Sequence, residues 1–200
     1  NKPEMEFHFD NILSKPLPSL LRSFSAPVVL NYEYINEDLL LLIQKDPNLY
    51  NRCEAAKKLI TNLVSDYCNG KTMDLGTKFF DAYGSLLKDE SLNEWMLAEL
   101  LTLPSEESLV AALNKPDFAK LAEARLFIQQ ELAKTLEKGL FEIYNNKLIS
   151  QKTFLNKQFT IFDIKEAGLR RLKEVCFSYY RCQIFLRIFF DYRQIHYFQI

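Results

Sequence analysis

The sequence predicts an all-α protein, a superhelical array of antiparallel helix hairpins with HEAT-like stacking, preceded by a short β segment. Apolar residues recur at three- and four-residue spacing through most of the chain after residue 36, as in amphipathic helices. Capping residues and prolines divide these stretches with short connections, which favours antiparallel neighbours. The chain has only 5 glycines in 200 residues, too few for a turn-rich β fold.

The first 32 residues differ from the rest. Residues 4–9 alternate polar and apolar side chains, as a half-buried strand does. Pro16 and Pro18 exclude a continuous helix, and residues 28–32 are rich in branched and aromatic side chains. We therefore predict a β segment and junction at residues 1–32 and a helical domain at residues 33–200. Phe24 lies between two β-prone segments and is predicted to be buried.

Most of the predicted helices have a local start or stop signal. Asn36 is predicted to cap the first, and Asp46-Pro47 to open the second with proline at the first helical position. Asn69-Gly70 ends the second, and the sequence Ser91-Leu92-Asn93-Glu94 is a capping box for the fourth. The predicted ranges are 37–44, 47–67, 74–87, about 91–103, 105–113, 116–145 and 163–190.

Each helix carries an apolar stripe that predicts which side packs inward. Trp95 is placed on the inner side of the fourth helix. The outer face of the long sixth helix alternates lysine or arginine with glutamate, which favours a solvated surface. The predicted inner stripe of that helix is Leu121, Ala124, Phe127, Ile128, Leu132, Leu136, Leu140, Phe141 and Tyr144.

Composition excludes several function classes. The formal net charge is −1, so no global field attracts nucleic acid or anionic lipid, and neither is expected as a partner. Arginines and an aspartate interrupt the apolar C-terminal run, which argues against a membrane span. Nothing in the first residues resembles a signal peptide, because acidic residues interrupt any apolar run, and a cytoplasmic location is expected. The four cysteines are then expected to be reduced thiols: Cys53, Cys68, Cys176 and Cys182.

The chain carries no recognisable catalytic motif. A zinc hydrolase needs two histidines one helical turn apart, but His8 and His196 lie at opposite ends and no HExxH occurs. The scarcity of histidine also disfavours a Cys–His pair, and no glycine-rich phosphate loop is present. We therefore predict no catalytic, cofactor-binding or metal-binding residue in this chain, and no peptidase activity or tight zinc site in the isolated chain.

Four stretches resemble one family. Pro16, residues 18–22 and residues 24–28 fit a PxPSLLRxFSAPV segment, and Asp46, residues 51–52 and residues 54–55 fit a D-x-x-x-x-N-R-W-x-A pattern, with Cys53 in place of tryptophan. Residues 101–106 read LTLPSE, and residues 167–173 are similar to an AGxRxLKN helix. These motifs resemble the C-terminal helical region of the aminopeptidase N family, the zinc-dependent alanyl aminopeptidases of bacteria.

The resemblance implies a parent enzyme that removes N-terminal amino acids from peptides with a zinc-activated water. It makes residues 1–32 the end of a preceding β-sandwich domain and residues 33–200 a helical domain shorter than is usual in the family. The implied role is to cap the catalytic domain and limit entry to short, unfolded peptides. The implied partners are the catalytic and β-sandwich domains and the peptide substrate, and none of the family's zinc ligands lies in this chain.

Two alternatives remain open from the sequence. The chain could be a stand-alone helical scaffold that binds proteins, or an inactive remnant of an aminopeptidase. Residues after about 182 match no family motif and are strongly aromatic, which predicts that they either fold back on the preceding helices or form a homo-oligomer.

Overall fold

Six α-helices form most of the computed structural model, which describes residues 6–13, 16–26, 28, 30–154, 171–172 and 174–179. The side chains of Phe24 and of residues 144–154 lie outside the description. A short 3-10 helix at Arg22–Phe24 precedes the first α-helix, and residues 171–172 and 174–179 are also helical. The helices are α1 (Asn36–Lys45), α2 (Leu49–Cys68), α3 (Gly76–Leu87), α4 (Glu94–Leu101), α5 (Glu106–Ala112) and α6 (Phe118–Phe154).

The helix starts correct two predicted caps. Asn36 is the first residue of α1 rather than its cap, and its Oδ1 accepts a hydrogen bond from Asn62 Nδ2 at 3.2 Å. Pro47 lies before α2, because Asn48 caps the helix by accepting from the backbone N–H of Asn51 at 3.2 Å. Asparagine competes well for the cap position because its side chain satisfies an N–H that the helix leaves unpaired.

The C-terminal end of α2 and the start of α5 follow the sequence signals. Gly70 takes the left-handed φ of 87°, and its N–H donates to the carbonyl of Tyr67 at 2.9 Å, while Lys71 N–H donates to the carbonyl of Asp66 at 3.0 Å. This pair of bonds is a Schellman motif. Ser105 caps α5 by accepting from Ser108 N–H at 3.2 Å. These local predictions are confirmed.

The capping box predicted at the start of α4 is wrong. Asn93 caps the helix by accepting from Met96 N–H at 2.9 Å. Ser91 instead donates its hydroxyl to Asp89 Oδ1 at 2.5 Å. Trp95, predicted to face inward, is 45% exposed, because the buried face of the short helix is taken by its leucines and Ala98.

Helix α6 is longer than predicted. Asp117 Oδ1 accepts from Ala119 N–H at 3.0 Å and so caps the first turn, as its position before the helix suggests. The helix continues through Asn145 and Asn146 to Phe154, so the predicted break is wrong. Asparagine lowers helix propensity only modestly, and a long helix already formed continues through it.

The core lies where α1, α2, α3 and α6 meet. α1 packs on α2 and α3, α2 and α3 both pack on α6, and α4 contacts α2 and α3. Most of the predicted α6 stripe is buried, but Phe127 and Phe141 are exposed, and the side chain of Tyr144 lies outside the description. The largest fully buried side chains include Phe79, Tyr83, Leu39, Ile43 and Ile128. The predicted all-α architecture is thus confirmed for the described helices.

The predicted β segment does not form a strand in the part of the chain that the structure describes. Residues 6–13 are exposed without regular structure, and residues 28 and 30–35 do not join a ladder. A strand needs a neighbour for its backbone groups, and no second β-prone segment is described beside these residues. The predictions for Phe24 burial, for most of the last helix and for the tail fall outside the described residues. The domain boundary at residue 33 stays a prediction.

Candidate functional site at the junction

Two of the motif segments meet in the structure, although 27 residues separate the two side chains that join them. Ser19 donates its hydroxyl to Asp46 Oδ2, and Asp46 is only 6% exposed at the end of α1. The other carboxylate oxygen of Asp46 accepts from the backbone N–H of Asn48 at 2.7 Å. A buried carboxylate needs such donors because it loses its hydration shell. Ser19, Asp46, Asn48 and Asn51 are called the junction cluster below.

The two asparagines complete the cluster from the first turn of α2. Asn51 Nδ2 donates to Ser19 Oγ at 2.8 Å and to the carbonyl of Leu20 at 2.8 Å. Asn48 Nδ2 donates to Ser23 Oγ at 2.8 Å, and its Oδ1 accepts from Ser23 N–H at 3.3 Å. The helix start therefore binds both backbone and side chains of the incoming segment, and this segment is not a free linker.

Ser19 is the centre of the cluster. Its hydroxyl donates to Asp46 and accepts both from Asn51 and from Arg22 Nε at 3.0 Å. One donor and two acceptor sites are all that a serine hydroxyl has. Farther along, Tyr34 OH donates to the carbonyl of Pro18 at 2.9 Å, so the segment is also held from its other side.

An open groove of about 300 Å³ lies beside the cluster. Val28, Leu30 and Tyr32 line one side of the groove. Residues of helices α1 and α2 line the other side. Val28 is 56% exposed and Tyr32 39% exposed, so this surface is apolar and uncovered among the described residues. It adjoins the junction cluster through Leu20 and Asn51.

A buried arginine lies one residue after the cluster. Arg52 is 7% exposed, its Nε donates to the carbonyl of Ile43 at 2.8 Å, and its Nη1 lies 2.9 Å from Asp89 Oδ2. The hydroxyl of Ser91 and the guanidinium of Arg52 hold the pKa of Asp89 below its ordinary value, against the effect of desolvation. Arg52 therefore joins the end of α1 to the α3–α4 connection.

The LTLPSE motif is held by side chains of two other elements. Arg125 Nε on α6 donates to the carbonyl of Pro104 at 2.8 Å, and Tyr179 OH donates to the carbonyl of Leu101 at 2.7 Å. A cavity of about 160 Å³ lies between them, with Arg171 and Glu174 also on its wall. Arg171, from the AGxRxLKN-like motif, thus lies near the LTLPSE turn, with its Nη1 3.7 Å from Glu174 Oε2.

The described residues do not fit a zinc site. His8 is exposed with its Nε2 3.7 Å from Glu6 Oε2, and His196 lies outside the description. Across the described ranges no group of three or more His, Cys, Asp or Glu side chains could hold a metal ion. No zinc ligand is therefore assigned among the described residues.

The three described cysteines are free thiols, and burial makes two of them poor nucleophiles. Desolvation raises the pKa of Cys53 to about 11 and that of Cys176 to about 11. The thiolate is the reactive form, so little of it is present near neutral pH. Burial also raises the pKa of Cys68, and Cys182 lies outside the description.

Among the described helices, none is long and apolar enough to span a membrane.

Three of the four junction-cluster residues lie in the family motifs, although the sequence analysis predicted no site residue among them. Ser19, Asp46, Asn51 and Arg52 all belong to the family motifs, and the structure brings them together. Asn48 and Asp89 belong to no motif used in the prediction. Asn48, which follows Asp46-Pro47 and precedes an apolar run, carries a cap signal that could have identified it. Asp89 has no such signal, because its partner lies 37 residues away.

The comparisons identify the family of these motifs. Residues 36–183 match the family described as a domain of unknown function, DUF3458_C, with ARM repeats. The chain belongs to this family. It is 31% identical over 173 residues to aminopeptidase N of Escherichia coli, a match that covers 84% of this chain and 20% of that protein. Aminopeptidase N of Caulobacter vibrioides is 31% identical over 177 residues, covering 88% of this chain and 20% of the relative.

A solved structure shows the same fold. The crystal structure of Legionella pneumophila aminopeptidase A in complex with aspartic acid superimposes with a TM-score of 0.83 at 52% identity. The match covers 93% of this chain and 22% of the Legionella chain. This chain therefore spans about a fifth of the length of the relatives it matches. It is the helical C-terminal domain of an aminopeptidase N-like protein, and the resemblance found in the sequence is confirmed.

Proposed function

We propose that this helical domain caps the catalytic domain of a zinc aminopeptidase, encloses the active-site cleft and limits entry to short, unfolded peptides. The observation that carries the proposal is the 52% identity to the Legionella aminopeptidase over 93% of this chain. Domains that share half their residues and one fold keep the same neighbours when those neighbours are part of the same chain. The zinc and the groups that act on the peptide bond belong, in this proposal, to the part of the longer protein outside this chain.

The junction supports a cap of fixed position. The hydrogen bonds of the junction cluster tie residues 19–23 to the end of α1 and the start of α2. A segment tied in this way transmits the position of the helices to the chain that precedes it. The proposed partners are the catalytic and β-sandwich domains on that side, and the uncovered apolar surface at Val28 and Tyr32 is suited to contact them.

A domain exchange tests the proposal. The matching segment of the Legionella enzyme is replaced by residues 16–179 of this chain, and hydrolysis is measured with a tripeptide and with a folded protein that has the same N-terminal residue. We expect kcat/KM for the tripeptide to stay within about tenfold of the parent enzyme, because a cap contributes position and not chemistry. We expect the folded protein to remain uncleaved.

The matched control is a helical-repeat segment of similar length from an unrelated protein, which is expected to abolish the tripeptide activity. A chimera that is folded and active but also trims the folded protein would show that these helices do not restrict access. Separately, the isolated chain is expected not to hydrolyse an alanyl anilide. Hydrolysis together with stoichiometric zinc would overturn the assignment of the chemistry to another domain.

A further inference from the structure

The backbone of the junction segment is strained on both sides of Arg22. Leu21 has φ 51° and ψ 38°, and Ser23 has φ 56° and ψ 31°, both in the left-handed region. Leucine and serine avoid this region because Cβ crowds the following carbonyl. Two such residues within three positions persist only where the surroundings fix them.

The surroundings that fix them are the junction cluster. Asn51 holds the carbonyl before Leu21, and Asn48 holds both the N–H and the hydroxyl of Ser23. Ser19 binds the Nε of Arg22 between them. The described hydrogen bonds that Ser19, Asn48 and Asn51 make to the segment all involve residues 19–23. The strained turn is therefore held by the start of α2.

We propose that residues 16–26 are a rigid clip that belongs to the helical domain, with Ser19 as its positioning residue. The clip fixes the direction in which the chain leaves the helices before Pro16. The functional role of this fixed direction, which is to position the helices over the preceding domains, rests on the proposed cap function. The helical folding unit then begins at about residue 16, some twenty residues before the first residue that the family match covers. Removing the Ser19 hydroxyl takes one donor from Asp46, one of two acceptors from Asn51 Nδ2, and the acceptor of Arg22 Nε.

Trypsin reports the opening of this clip directly. Lysines 2 and 15 precede prolines, where trypsin does not cut, so the bond after Arg22 is the first cleavable site in the chain. Arg22 is exposed, but the strained turn is not the extended conformation that a protease binds. Cleavage then requires the clip to open, and its rate follows the open population when reclosing is fast.

The experiment compares the 200-residue chain with Ser19→Ala by mass spectrometry of early tryptic products. Loss of hydrogen bonds to a charged group is expected to raise the open population, and so cleavage after Arg22, by about tenfold or more. Ser25→Ala is the matched control, because Ser25 is exposed in the same segment and makes none of the cluster's hydrogen bonds. Cleavage after Lys71, in the exposed α2–α3 connection, is the internal reference and is expected to stay unchanged.

Helical circular dichroism of Ser19→Ala shows whether the helices remain folded. Hydrogen exchange at the amide of Ser23, which donates to Asn48 Oδ1, measures the same opening if trypsin cuts elsewhere first. Equal cleavage after Arg22 in the wild type, Ser19→Ala and Ser25→Ala overturns the clip. So does cleavage of the wild type after Arg22 as fast as after Lys71. Neither readout involves aminopeptidase activity. The clip can therefore be confirmed if the cap function is contradicted, and the cap function can be confirmed if the clip is contradicted.

Discussion

Arg52 Nη1 lies 2.9 Å from Asp89 Oδ2, and the same guanidinium donates from Nε to the carbonyl of Ile43 at 2.8 Å. The Arg52 side chain is 8% exposed and that of Asp89 25% exposed. A single side chain thus links the last turn of α1, the first turn of α2 and the connection before α4. These three elements of the helical array are therefore joined through one ion pair and one hydrogen bond.

The first prediction concerns this pair. Arg52→Ala should lower the free energy of unfolding by about 2–4 kcal/mol, below the 3–5 kcal/mol of a fully buried pair because Asp89 is partly solvated. Urea unfolding measures the change. Lys57→Ala is the control, since Lys57 pairs with Glu54 at 3.0 Å on a half-exposed surface and should cost less than about 0.5 kcal/mol. Equal losses in the two variants would contradict the bracing role of Arg52.

The second prediction concerns pH. The hydrogen bond from Ser91 and the contact with Arg52 lower the pKa of Asp89 from 3.8, so its charged form is stabilised in the folded state. A depressed pKa stabilises the fold above the unfolded value, and this contribution is lost as pH falls through the lower, folded value. The Asp89→Asn variant has no carboxyl group to titrate at this position. The difference in unfolding free energy between wild type and Asp89→Asn should therefore shrink as pH falls from 7 to about 3. A difference that stays constant would show that the carboxylate charge contributes nothing.

The residues that could be predicted from the sequence are those whose partners are near in the chain. Ser105 and Gly70 act on backbone groups within a few residues, and their caps were predictable from the local pattern. Ser19 was recognised only as part of a motif, because its contact with Asp46 is set by how the segment returns onto the start of α2. The capping pattern at Ser91 was misleading because the Ser91 hydroxyl donates to Asp89 Oδ1, while Asn93 takes the cap position and accepts from Met96 N–H.

The third prediction separates burial from sequence pattern within α4. Trp95 was expected to face inward, but it is 45% exposed, whereas Leu100 is 1% exposed. Leu100→Ala should lower the free energy of unfolding by about 2–5 kcal/mol through lost burial and a cavity. Trp95→Ala should cost less, about 1–2 kcal/mol, because nearly half of its surface is already in water and its truncation leaves no enclosed cavity. Thermal unfolding of both variants tests the order, and a larger loss for Trp95→Ala would place Trp95 in the core.

The fourth prediction uses two helical glycines. A Cβ at Gly84 in α3 would lie 3.8 Å from Leu136 Cδ2, an ordinary contact, so Gly84→Ala should stabilise the protein by about 0.5–1 kcal/mol through helix propensity. A Cβ at Gly139 in α6 would lie 2.7 Å from Leu87 Cδ1, so that side chain must move. Gly139→Ala should therefore gain less than Gly84→Ala or lose stability. Urea midpoints rank the two, and the opposite ranking would contradict the close approach of α3 and α6.

The last prediction concerns the aromatic tail, which begins after the last described residue, Tyr179. Aromatic side chains recur through residues 180–200 with arginines between them. Large apolar surfaces on soluble proteins are normally covered, and a two-fold pair is the simplest cover from another chain. We expect the full chain to self-associate and a chain that ends at residue 186 to be monomeric, as measured by sedimentation at several concentrations. The truncation leaves every described helix intact, so a change in association reports the tail and not loss of the fold. A full chain that stays monomeric at high micromolar concentration would rule out association and favour a tail that folds back on its own helices.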